Sequence, residues 1–132
     1  MTISENILVE NSLRAAPDGF SVEILLNWYR SLPLSCVDAI ELTLDGAVIG
    51  PGQIRFQLNG ATRGLDELAD MTEEMWFIQD HAVLTVRRTP PLRAGDRVEL
   101  TLRLGSRIPY ILTSPTTAFE NVSSMSRQMT VR

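Results

Sequence analysis

The sequence predicts an all-β domain, an antiparallel β-sandwich, with at most one short helical segment near residues 64–75. Two observations carry this. Apolar side chains recur with a period of two along separate stretches, as they must where successive side chains of a strand face opposite ways. Between these stretches lie tight-turn and strand-breaking signals, the pattern of a sandwich or barrel. A chain of 132 residues fits one domain spanning 1–132. That is enough chain to bury a core without a metal or disulfide. The lone Cys36 excludes an internal bridge.

Residues 7–13 form a short strand candidate. Phe20, Val22, Ile24, Leu26 and Trp28 alternate with Ser21, Glu23, Leu25, Asn27 and Tyr29, which predicts one strand over 20–29 with its even positions buried. Ile40, Leu42 and Leu44 alternate with Glu41 and Thr43, and the strand runs into Asp45–Gly46. Ile54, Phe56 and Leu58 alternate with Arg55 and Gln57 and run into Asn59–Gly60. Both dipeptides tolerate the positive φ that a tight turn requires. Leu65, Leu68 and Met71 have helical spacing, which places the one short helix or long loop over 64–75. Ala82, Leu84 and Val86 define the next strand, and "TPPLRAG" breaks the chain after it. Val98, Leu100, Leu102 and Leu104 define another. Residues 76–78, 108–112 and 129–131 are shorter candidates, and from about residue 113 the chain reads as a polar tail.

The net charge of −4 is unevenly spread: residues 1–86 hold 13 acids and 4 arginines, residues 87–132 hold 3 acids and 8 arginines. The arginines of the second part alternate with apolar residues along strands and do not cluster with aromatics. They read as solvated strand faces, so no nucleic-acid partner is expected. Lysine is absent, which excludes a Schiff-base mechanism. No apolar run approaches the roughly 20 residues of a membrane span, and "MTISENILVE" has no signal-peptide pattern. The expectation is a cytoplasmic protein, for which the sequon at Asn121 has no meaning.

Catalytic groups are scarce. The single histidine, His81, follows Asp80, but neighbours in a strand face opposite ways and would not meet. One histidine and one cysteine cannot build a zinc site without several carboxylates. Asp66, Glu67, Asp70, Glu73 and Glu74 lack the spaced, glycine-centred loop of a calcium hand. No nucleophile elbow or phosphate loop appears. What stands out is sticky matter in connections. Tyr29, Arg30, Leu32, Pro33 and Leu34 fall within "YRSLPLS", and Arg107, Ile108 and Tyr110 within "SRIPYILTSP". Grouped aromatics and arginines are the usual anchors of a protein–protein contact, so these eight residues form the expected partner interface; the other reading is that they plug the ends of the sandwich.

The ordered set "YRSLPLSCVDAIELTLDG", "IRFQLNG", "LDEL", "WFIQDHAVLTV", "LRAGDRVELTL" and "RIPYI" resembles the small β subunit of bacterial C-glycoside deglycosidases, over residues 7–111. The proline of "RIPYI" departs from the serine of the family pattern. The resemblance implies a β-sandwich subunit with no catalytic or metal-binding residue of its own. It would assemble with a larger α subunit, a sugar-isomerase-like barrel holding a divalent metal, commonly manganese. It further implies a hetero-oligomer that cleaves the carbon–carbon bond of 3-keto C-glucosides of flavonoids and related aromatics by β-elimination. Two other readings compete. Trp28, Trp76 and Tyr110 could stack on a sugar in a stand-alone carbohydrate- or ligand-binding module. Leu25 and Val83 could hold a purely structural homo-oligomer together.

Overall fold

The alternating stretches become strands because each buries one face against a second sheet. The computed structural model describes residues 6–132. Its strands are β1 (Arg14–Ala16), β2 (Gly19–Ile24), β3 (Leu32–Pro33), β4 (Val37–Leu44), β5 (Ala47–Val48), β6 (Ile54–Leu58), β7 (Ala61–Gly64), β8 (Met75–Trp76), β9 (Ala82–Arg87), β10 (Arg97–Ser114) and β11 (Thr117–Thr130). A five-stranded antiparallel sheet has the order β1-β2-β9-β6-β7 and a four-stranded one the order β11-β10-β4-β5. Strands β3 and β8 form a small separate pair, Leu32 opposite Trp76. Phe20, Val22, Phe56 and Leu84 of the first sheet share one core with Leu42, Leu100, Leu102 and Leu104 of the second. Each such side chain contributes about 1.5–3 kcal/mol on leaving water. The expected sandwich is therefore present.

The turns obey their chemistry. Asp45 and Gly46 have φ of 49° and 86°, and Asn59 and Gly60 have 54° and 79°, the left-handed pairs that match strand twist in two-residue hairpins. Gly19 is required for space: a Cβ there would lie 1.9 Å from the Val86 carbonyl oxygen of β9. The expected short helix is a 3-10 segment, Leu65–Asp70, that buries Leu68. The Glu67 carboxylate accepts the Gly64 N–H at 2.6 Å and closes its first turn.

Four features differ from expectation. Strand β2 stops at Ile24 although the alternation continues to Tyr29, because Asn27 turns inward and its side chain is bonded inside the molecule. Residues 7–13 form a single bridge, Leu8 to Ile24, while Ile7, Leu8 and Leu13 still pack in the core. Of residues 76–78 only Trp76 is in a strand, and Phe77 and Ile78 lie exposed beside the turn that follows. The supposed polar tail is β11, paired with β10 from Arg97↔Thr130 to Ser114↔Thr117. It buries Asn121, Ser123 and Met129, so small polar side chains take inward places that a hydrophobic reading of alternation misses.

Candidate functional site at the aromatic end

The β10–β11 hairpin is longer than the sheet that carries it. Its last fully buried residue on the outgoing strand is Ile108, and residues 109–117 are exposed. The overhang begins beside the loop that follows β2, and the two are locked together at Asn27. Its Nδ2 donates to the Leu104 carbonyl at 2.9 Å and the Asn121 carbonyl at 3.1 Å. Its Oδ1 accepts the Ser106 hydroxyl at 2.6 Å, and its own carbonyl accepts Asn121 Nδ2 at 2.7 Å. Asn27 is fully buried. A buried amide is tolerable only when its donors and acceptors are met, and here they are.

That clasp fixes the next residues. The buried Trp28 ring donates its indole N–H to the Tyr110 hydroxyl and lies 4.8 Å from the Tyr29 ring and 6.2 Å from Phe119, centroid to centroid. The Arg30 guanidinium lies 5.6 Å from the Tyr29 ring and 5.8 Å from the Tyr110 ring, within reach of both aromatic faces. Among the described residues Arg30 has no carboxylate partner. The Ser31 hydroxyl accepts the Ile78 N–H at 3.2 Å, which adds the exposed Phe77–Ile78 corner to the same end. Tyr29, Phe77, Ile78, Tyr110, Ile111 and Leu112 are among the large apolar side chains left exposed, with Leu112 61% open to solvent.

The expected interface residues divide between two fates. Tyr29, Arg30 and Tyr110 are exposed and converge, although 80 positions of chain separate the outer two. Leu32, Leu34 and Ile108 are inside the core, a correction to their expected place on a surface. The reason is the β3–β8 pair and the backbone bonds of Leu34 N to Glu74 O and Ser35 N to Met71 O, which draw "LPLS" over the end of the sandwich as a plug. Pro33 and Arg107 are half-buried. The Arg107 guanidinium donates to the Ser35 carbonyl at 3.1 Å and lies 3.5 Å from the Asp38 carboxylate. Glu120 faces Arg107 across the hairpin. Its carboxyl is pushed from 4.5 up to about 7, first by a hydrogen bond with Asp38, then by partial burial and by the Asp38 charge, with Arg107 pulling the other way.

The other candidates take different places. His81 Nδ1 lies 2.8 Å from Glu23 Oε1, so its partner is Glu23 and not Asp80, whose carbonyl accepts the Trp76 indole N–H. Cys36 is buried. Among the described residues no three histidine, cysteine or carboxylate side chains converge as metal ligands. Trp28 and Trp76 are buried, which leaves Tyr110 as the only exposed ring of the three suggested for sugar stacking. Leu25 and Val83 are half-buried. Sequence reasoning missed Asn27, Phe119, Ile111 and Leu112. The aromatic-after-turn position of Phe119 was a usable signal; Asn27, polar at an outward place in the alternation, gave none.

A family model described as C-glycoside deglycosidase beta subunit matches residues 2–110. A C-glycoside deglycosidase beta subunit of Microbacterium trichothecenolyticum is 38% identical over 114 residues, 86% of each chain. One of Arthrobacter globiformis is 30% identical over 131 residues, 98% of each chain. A 3'-dehydrocarminate deglycosidase beta subunit of a Microbacterium species is 36% identical over 107 residues, 81% of this chain and 80% of that one.

Proposed function

Since the chain belongs to the C-glycoside deglycosidase beta subunit family, we propose that it is the non-catalytic subunit of a cytoplasmic carbon–carbon lyase. It assembles with a larger, metal-dependent barrel subunit, and the pair splits the bond between sugar and aromatic ring in a 3-keto C-glucoside. The chemistry follows from the ketone. A carbonyl at C3 acidifies the C2 hydrogen. A base removes that proton, and the electron pair re-forms as a C1–C2 double bond while the aryl carbon leaves C1 and takes a proton. The metal is assigned to the companion, because no three histidine, cysteine or carboxylate side chains converge among the described residues, and the base is assigned to the same site, where it can reach the acidified C2 hydrogen.

This chain's own contribution is shape. Docked on the companion through Tyr29, Arg30 and Tyr110, with Pro33 and Arg107 at the margin, it orders the companion's loops and keeps water from the carbanion. The observation that carries the reading is the match to beta subunits along almost the whole chain. The stand-alone sugar-binding alternative loses its platform with the burial of both tryptophans. The test is co-expression with the companion subunit and assay of an oxidised aryl C-glucoside, with and without chelator. The pair should cleave it, chelator should abolish cleavage, and neither chain should cleave alone. Turnover by the isolated chain overturns the proposal.

A further inference from the structure

We propose that residues 109–118 are a grasping arm: this uncharged hairpin tip enters an apolar groove on the companion subunit, and Arg30 at its root binds a carboxylate on the groove's rim. The proposal rests on the subunit reading and adds to it the chemistry of the surface that the companion must present.

Three observations lead here. The first is charge. Residues 108–119 carry no charged side chain in a chain where 21% of residues are charged. Polar side chains in the arm are threonines and a serine, which shed water at far lower cost than ions. The second is reach and rigidity. Ile108 pairs with Phe119 and Ser114 with Thr117, so the outgoing strand bulges over this stretch and the return from Pro115 to Phe119 takes only four steps, a reach of roughly 13 Å at about 3.3 Å each. The root does not swing freely, because Asn27 ties Leu104 and Asn121, and Trp28 ties Tyr110. A fixed root limits the entropy lost on docking. The third is the setting of Arg30. Like most of the arginines it has no carboxylate partner among the described residues, but it is the one held against two tyrosine rings. Arginine with tyrosine is the pairing that dominates binding hot spots. Ile111 and Leu112, exposed on the arm, have no task in the free chain and would promote association with anything apolar. The companion is the occupant argued for because the chain belongs to a family of beta subunits; a second copy, which has a groove lined by Val37, Ile40 and Leu68 beside Asp38, Glu41 and Asp66, is the rival that the experiment separates.

The experiment measures affinity of the full chain for the purified companion subunit across salt concentrations. Leu112→Ser, the arm variant, should weaken binding about 30-fold, the range of a single hot spot, without changing the melting temperature, since that side chain is 61% exposed. Arg30→Ala should weaken it about tenfold and flatten the salt dependence, as loss of an interfacial charge does. If wild type binds and the arm variant binds within threefold of it, the arm is refuted while the subunit reading stands. If Arg30→Ala keeps the full salt dependence, the carboxylate anchor is refuted. If the isolated wild-type chain is a dimer that the arm variant dissolves, the arm grips a second copy and the proposal fails. If wild type does not bind the companion at all, both readings fall.

Discussion

Replacing Asn27 with alanine should remove a fifth or more of the stability of this domain. The side chain is fully buried and meets the Leu104 and Asn121 carbonyls and the Ser106 hydroxyl. Truncation leaves those groups facing a void. An orphaned buried polar group costs about 1–3 kcal/mol, so two or three of them sum to about 3–5 kcal/mol once partial relaxation is allowed. Typical domains have about 5–15 kcal/mol in all. The melting temperature should fall by roughly 10–20 °C, at about 4 °C per kcal/mol for this size. Urea unfolding followed by circular dichroism and tryptophan fluorescence reads the loss. Ser106→Ala removes a single donor and should cost only about 1 kcal/mol, and Asn27→Ala with Ser106→Ala should cost less than the sum of the two. An Asn27→Ala loss below about 1 kcal/mol would refute the idea that the hydrogen bonds at Asn27 brace the hairpin.

Two more outcomes are expected. Gly19→Ala places a methyl 1.9 Å from the Val86 carbonyl oxygen, so β2 must separate from β9; a loss of about 3 kcal/mol or failure to fold is expected, and a wild-type urea midpoint would contradict it. Glu120 gives a pH signature: its folded carboxyl titrates at about 7 against an ordinary 4.5, so the folded chain holds the extra proton between those values. Stability from this group is complete below about pH 4.5 and is lost as pH rises through about 7. Urea midpoints taken at pH 5 and pH 8 should therefore differ more in wild type than in Glu120→Gln, and equal differences would remove Glu120 as the source.

The central strands were legible because their inward places hold valine, leucine, isoleucine, phenylalanine and alanine, as in β4, β6 and β9. The hairpin turns were legible because asparagine or aspartate before glycine has few other uses. Strand β11 was not. Its inward Asn121 and Ser123 are hydrogen-bonded or small, and burial by hydrogen bonding leaves no hydrophobic trace. The site was half legible. "YRSLPLS" was marked as sticky, but which side chains plug the core and which face water depends on a two-residue strand pair, β3 with β8, that no local pattern encodes. The convergence of Arg30 with Tyr110 needs the path of the intervening chain.

Asn27 finds its partner Asn121 only 94 positions later. During synthesis, the ribosome makes the aromatic loop long before the strand that steadies it. A nascent or clipped polypeptide lacking β11 would display core sheets yet no firm lip at Tyr29 and Arg30. On the proposed docking mode, unfinished copies would lack the surface that a companion subunit grips.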